Sequence, residues 1–195
     1  MRVRARSTRC SVGACALHSC ASSALLFGPS ARWSASRNST AAMAPDASYQ
    51  LVVIGLKNRT FVSEAGITFR AQETTESVTD LDTIIIPGGS GLQRPEVLLD
   101  LANWLSSHAS KARRVAAVCG GIYPLAQSGL VNGRTVTTHW RFIHDVARRY
   151  PAVQVKSHST FMKDGPFYTC GGGAAAIEMA LSLVQEDQGA DVAQA

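Results

Sequence analysis

The sequence predicts an α/β fold, and three observations carry the prediction. After Asp46, strand-like and helix-like blocks alternate along the chain, the pattern of α/β domains. The clearest strand candidates are short, almost wholly apolar runs with no polar alternation, as expected where both faces of a sheet are covered. Each run stops at glycine: Gly55 after Leu51–Ile54, Pro87-Gly88-Gly89 after Thr83–Ile86, and Gly120-Gly121 after Arg114–Val118 and Cys119.

In chain order, Leu51–Ile54 reads as the first buried strand and Gly66–Arg70 as a strand after a tight turn. Thr83–Ile86 follows. Pro95 suits the first turn of a helix, and Val97, Leu98, Leu101 and Leu105 repeat at helical spacing to about Ala109. Arg114–Val118 is the next strand, Gly121–Ser128 the helix after it, and Arg134–Thr137 a further strand. Phe142, Ile143, Val146, Ala147 and Tyr150 make one stripe of a helix starting near Trp140. Phe161–Met162 and Phe167–Thr169 flank a Lys163-Asp164-Gly165 turn as a hairpin. The last helix is expected over about Ala174–Gln185, with Ile177, Leu181 and Val184 inward.

Charge and cysteines divide the 195 residues in two. Residues 1–45 hold six arginines and no acid, whereas the rest of the chain has a net charge of −1. The basic character therefore belongs to residues 1–45, and residues 46–190 are expected to form a near-neutral domain. Nucleic-acid binding by that domain is not expected, because its charge offers no basic footprint. Cys10, Cys15 and Cys20 fall in the first segment, leaving Cys119 and Cys170 in the domain. Two sparse cysteines make no disulfide framework and point to a reducing, cytoplasmic setting. The leader's Cys/His spacing is only marginally zinc-like, so no metal and no cofactor are expected. No apolar run approaches the ~20 residues of a membrane span. Residues 1–45 read as a disordered or wrongly translated low-complexity leader with a natural start at Met43. An Arg/Ser/Ala-rich organellar transit peptide is the alternative.

Val115-Ala116-Ala117-Val118-Cys119-Gly120-Gly121-Ile122 is the stretch that could do chemistry. A buried strand runs into a helix through one polar residue and two glycines. So sharp a turn strains the middle residue and lifts its side chain above the sheet edge. The backbone N–H groups left free there can stabilise a thiolate and hold an oxyanion. A buried structural cysteine is the competing reading, and the segment alone leaves both open.

Around it, Ile86-Pro87-Gly88-Gly89, Leu130-Val131-Asn132-Gly133-Arg134, Thr137-Thr138-His139-Trp140, Tyr168-Thr169, Gly173 and Glu178 recur in order. Together with the Cys119 segment they resemble the PfpI-like, class I glutamine amidotransferase-like superfamily. The nearest likeness is to the amidase-like domain of GlxA-type regulators in the AraC transcription-factor family, over about residues 49–188. The resemblance implies a flavodoxin-like three-layer sandwich with a mostly parallel sheet, usually dimeric. It makes Cys119 the elbow nucleophile or sensor thiol and His139 its catalytic or pocket-lining partner. Gly88, Gly89 and Gly120 would supply oxyanion or ligand contacts, with Cys170 at the pocket edge. As bare residues, His139 also reads as a structural hydrogen-bonding partner and Cys170 as packing.

Two departures bear on activity. Leu26-Phe27-Gly28-Pro29 echoes the family's opening Leu-Asp-x-x-Gly-Pro motif, but Leu25 stands at the acid's place and no strand-like run precedes it. A domain lacking its normal first strand-helix unit is therefore expected, through a frameshift or misplaced start. Gly120, not His, follows Cys119, unlike the PfpI-type peptidases. The resemblance accordingly implies a ligand-sensing domain for transcription regulation, without its DNA-binding half and taking a small molecule. A cysteine-dependent hydratase or hydrolase of the isonitrile hydratase type is the alternative, as is a protein like the parkinsonism-associated deglycase. The Arg113-Arg114 and Arg148-Arg149 pairs read as solvated surface.

Overall fold

A computed structural model describes the backbone of residues 8–13 and, in full, residues 49–63 and 67–194. Strand β1 is Thr8–Gly13, β2 Tyr49–Gly55, β3 Thr60–Val62, β4 Thr68–Arg70, β5 Glu73–Thr74 and β6 Thr83–Ile86. Helix α1 (Pro95–His108) leads to β7 (Arg114–Val118), α2 (Ile122–Gln127) and β8 (Thr135–Val136). Helix α3 (Ile143–Arg149), β9 (Gln154–Val155), β10 (Phe161–Asp164), β11 (Phe167–Cys170), α4 (Ala174–Gln188) and α5 (Ala190–Gln194) complete the order.

Among the described residues, seven strands form the main sheet in the order β10-β11-β7-β6-β1-β2-β5. All neighbours are parallel except the antiparallel β10–β11 edge. The sheet is packed on both faces, which is why its strands read as unbroken apolar runs. Ile84, Ile86, Val115 and Ala117 point to one side, against Leu101 and Leu105 of α1 and Ile122 and Leu125 of α2. Ile85, Ala116, Val118, Tyr168 and Cys170 point to the other, against Ala175, Ala176, Met179 and Leu183 of α4. This is the flavodoxin-like sandwich that the sequence implies. Because β6, β7 and β11 are parallel, the loops after Ile86, Val118 and Cys170 leave from one edge, where ligands bind in such sheets.

The centre of the sheet corrects the expectation of a missing first strand. Thr8–Gly13 lies between β2 and β6, with Cys10 in register with Leu51 on one side and Thr83 on the other. The segment has no run of β-branched residues, so its sequence does not announce a strand. Its place follows from its neighbours: β2 and β6 each carry a row of N–H and C=O groups that must be paired when buried. Backbone pairing is open to almost any sequence, and tertiary context outweighs strand propensity. The Gly28-Pro29 motif, Cys15, His18, Cys20 and the expected strand start at Gly66 lie outside the described residues.

Three further expectations change. Helix α4 turns Ile177 and Leu181 outward and buries Ala175, Ala176, Met179 and Leu183 instead. Small alanines let the helix lie close to the sheet, and its polar end fixes its rotation. Arg114 is not surface; it is buried at 3% exposure. Asp187, at the end of α4, receives hydrogen bonds from Arg114 at 3.1 Å, Arg113 at 2.5 Å and the Tyr49 hydroxyl at 2.9 Å. Arg114 also donates to the Thr83 hydroxyl at 2.9 Å. One residue earlier, Glu186 accepts from Tyr168 at 2.6 Å and pairs with Lys163 at 2.8 Å. The clamp thus ties α4 to β2, β6, β7, β10 and β11 at the sheet end opposite the Cys119 loop. The hairpin turn is also one residue later than expected, since Asp164 pairs with Phe167 across Gly165-Pro166.

Burial alone would raise the Asp187 carboxyl, but its hydrogen bonds from Arg113, Arg114 and Tyr49 overcome this and hold it below its usual value. A carboxyl depressed by folding stabilises fully above the ordinary range near ~4 and loses that contribution as pH falls through its folded value. The Asp187→Asn variant leaves Arg114 buried without its counter-charge and should cost about 3 kcal/mol in urea unfolding at neutral pH. The deficit should shrink in acid; an equal deficit at pH 7 and pH 3 would contradict the clamp.

Candidate functional site

The site begins with the chain's path from β7 into α2. Cys119 has φ 51°, one of two described non-glycine residues in the left-handed region. A side chain there meets its own backbone and costs about 1 kcal/mol or more. Such strain persists only where the surroundings impose it. Cys119, Gly120 and Gly121 form a single 3-10 turn after β7, and all three are buried.

Glycines make the approach possible. A Cβ on Gly121 would sit 2.4 Å from the Ile86 carbonyl oxygen, so the turn could not seat against β6 with any other residue. A Cβ on Gly88 would lie 2.8 Å from Cys119 Cβ and 3.5 Å from its Sγ, so Gly88 is the floor beneath the thiol. Gly120 faces the Gly89 peptide, where a Cβ would meet the Gly89 oxygen at 3.1 Å and nitrogen at 3.3 Å. The structure therefore brings Gly88, Gly89, Cys119 and Gly120 together.

A third loop closes on them. The Thr138 hydroxyl donates to the Cys119 carbonyl at 2.7 Å, across 19 residues of chain. Thr137 is held in turn: its N–H donates to the Thr169 hydroxyl at 2.9 Å and its hydroxyl to the Ser159 carbonyl at 2.6 Å. This fixes the loop that carries His139, whose ring lies against Trp140 and Phe142. A Cβ on Gly171 would lie 3.6 Å from the Thr138 carbonyl and 3.9 Å from His139 Cα, so the loop after β11 abuts the same place. Partial burial and the nearby Arg141 cation lower the His139 pKa. At neutral pH it is an uncharged imidazole, able to accept or donate.

Cys170 ends β11 opposite Val118 of β7, one residue before the elbow. Burial is the main reason its thiol is pushed up to about 11, and the neighbouring Cys119 sulfur adds to the rise. Hydrogen bonds from the Gly172 and Cys119 backbone N–H groups oppose it without prevailing. Glu178 on α4 also raises it. Thr138 and Glu178 are the residues that sequence reading did not single out for a role. The buried Thr137-Thr138 pair just past a strand is the signal that could have found Thr138. Among the described residues no group of His, Cys, Asp and Glu could hold a metal ion, and no helix is long and apolar enough to cross a membrane.

Comparison with known proteins gives the family and the fold. The DJ-1/PfpI family pattern matches residues 35–186, a span that leaves β1 outside. Isonitrile hydratase of Pseudomonas putida is 38% identical over 135 residues, covering 68% of this chain and 57% of that protein. The HTH-type transcriptional regulator GbdR of Pseudomonas aeruginosa is 28% identical over 147 residues, covering 75% of this chain and 40% of the regulator. The chain thus spans about half the length of the curated relatives it matches. An AraC family transcriptional regulator from Pseudomonas putida superposes with a TM-score of 0.78 at 18% identity, over 96% of each chain.

The two thiols differ enough to be told apart chemically. Cys119 keeps some exposure at 7%, while Cys170 has none and its thiol is pushed up. Limiting iodoacetamide on the folded protein, followed by peptide mapping, should label Cys119 before Cys170. Labelling of Cys170 first would contradict this arrangement.

Proposed function

Because this chain belongs to the DJ-1/PfpI family, we propose that it is the small-molecule-sensing, amidase-like domain of a GlxA/AraC-type transcriptional regulator. The observation that carries the reading is the repeated match of this stretch to HTH-type transcriptional regulators, GlxA of Rhizobium meliloti among them. In those proteins the matched part is less than half of the whole. Reading DNA would be the work of the rest of such a protein, since the matched domain is near neutral. The domain would act as a homodimer.

In this reading Cys119 senses rather than turns over. Gly88, Gly89 and Gly120 crowd the thiol with peptide groups suited to an anionic or carbonyl oxygen. His139, uncharged at neutral pH, offers one hydrogen bond at the rim. Gly120 stands directly after the cysteine, where the peptidases of this superfamily carry the histidine that serves the thiol. A small polar ligand with a carbonyl or carboxylate would fit such surroundings, held by backbone donors with Cys119 beneath it.

The 38% identity to isonitrile hydratase is the observation behind a second reading, in which Cys119 attacks an electrophilic carbon and water completes a hydration. The two separate in one experiment. The 195-residue protein is incubated with an alkyl isonitrile, and formamide formation is followed beside a melting-temperature screen of small carboxylates and amides. The sensing reading expects no formamide above background and a ligand-induced rise in Tm that blocking Cys119 with iodoacetamide abolishes. Formamide production lost in Cys119→Ser would overturn it in favour of the hydratase.

A further inference from the structure

Cys170 is a buried thiol that the proposed ligand chemistry leaves unused. It closes β11 in register with Val118, so Cys119 stands diagonally across one rung of the parallel β11–β7 pair. Standard strand spacing puts such Cα atoms about 6 Å apart, and disulfides span Cα separations of roughly 4.4–6.8 Å. Both cysteines belong to the same packed cluster, on the α4 side of the sheet. The Cys119 backbone N–H is hydrogen-bonded to the Cys170 sulfur, which brings that sulfur to the elbow residue itself. Neither sulfur is in a disulfide.

We propose that Cys119 and Cys170 form a peroxide-responsive thiol pair, in which Cys119 meets the oxidant and Cys170 resolves it as an intramolecular disulfide. The order follows from access: Cys119 retains a little exposure at the sheet edge and Cys170 none. In the first step the Cys119 sulfur, as thiolate, attacks one oxygen of a hydroperoxide. The O–O bond breaks, an S–O bond forms, and the released hydroxide or alkoxide takes up a proton. Cys119 is then a sulfenic acid. In the second step the Cys170 sulfur gives up its proton and attacks the Cys119 sulfur; the S–S bond forms and hydroxide leaves, taking that proton as water. Two thiols and one hydroperoxide give one disulfide, one alcohol or water, and one water, with two electrons passing to the peroxide.

The N–H groups of Cys119 and Gly172 have a place in the second step. They point at the Cys170 sulfur and so stabilise the thiolate that must form there against the pull of burial. A cysteine that only fills space has no need of two donors. Resolution of this kind stops Cys119 from passing to the irreversible sulfinic acid. The pair stands independently of which small molecule the site takes, or whether it takes one.

The test is differential alkylation of the full-length folded protein after limiting hydrogen peroxide. Thiols are blocked with light iodoacetamide, disulfides are reduced with dithiothreitol, and the newly freed thiols are labelled with heavy reagent. Cys119 and Cys170 should gain heavy label together and equally, and the unreduced digest should contain their cross-linked peptide. In Cys170→Ser and Cys170→Ala, peroxide should instead leave Cys119 as a sulfinic acid that dithiothreitol does not recover. Three results on the wild-type protein alone would overturn the proposal: Cys119 oxidised to sulfinic acid with Cys170 still light-labelled, Cys119 linked to Cys10, Cys15 or Cys20, or no oxidation at Cys119. These hold even if the Cys170 variants fail to fold.

Discussion

The left-handed backbone at Cys119 is the constraint from which the rest of the site follows. A residue with a side chain resists φ 51°, so the conformation must be imposed from outside. The imposition is visible on every side. Gly121 lets the turn press against the Ile86 carbonyl, Gly88 leaves room beneath the thiol, and Gly120 accepts the Gly89 peptide at close range. From the far side Thr138 holds the Cys119 carbonyl. Relax the turn and the thiol leaves its place over Gly88, the Gly89–Gly120 contact opens and the His139 loop loses its anchor.

What lets the sheet edge bear that strain is the order elsewhere. Strand β1 pairs on both sides in the middle of the sheet, joining β2 to β6. At the opposite end, Asp187 gathers Arg113, Arg114 and Tyr49 onto the last long helix. Buried ion pairs of this kind add little net stability but penalise any arrangement that breaks them. Here the pairing fixes which face of α4 meets Val118 and Cys170. The clamp and the thiol pair are therefore two ends of one packed layer.

Much of this was legible in the sequence, and the reasons for the rest are physical. Thr83–Ile86 and Arg114–Val118 appear at their expected bounds, because strands covered on both faces leave no ambiguity of pattern. The one polar residue and two glycines between a strand and a helix left an elbow and a structural cysteine both open, and the ordered motifs around them carried the elbow reading. Strand β1 did not, because its place is decided by backbone pairing with two neighbours rather than by its side chains. Arg114 looked like surface because its counter-charge lies 73 residues away. Ile177 and Leu181 looked like core because apolar periodicity alone does not reveal that alanines and an ion pair have claimed the other face of α4. Thr138 was quoted but unassigned, since only the fold brings its hydroxyl to Cys119.

The elbow itself is most directly tested by comparing the unfolding free energies of Cys119→Gly and Cys119→Ala. Both remove the thiol, so they differ in backbone freedom and one methyl group. Glycine adopts a positive φ without steric cost, whereas alanine there costs about 1–2 kcal/mol. At an ordinary backbone position alanine is the more stable of the two by about 0.4–1 kcal/mol. The sign therefore decides. A strained elbow predicts that Cys119→Gly is the more stable variant; a Cys119→Ala protein that outlasts it in denaturant would contradict the strain on which the site is built.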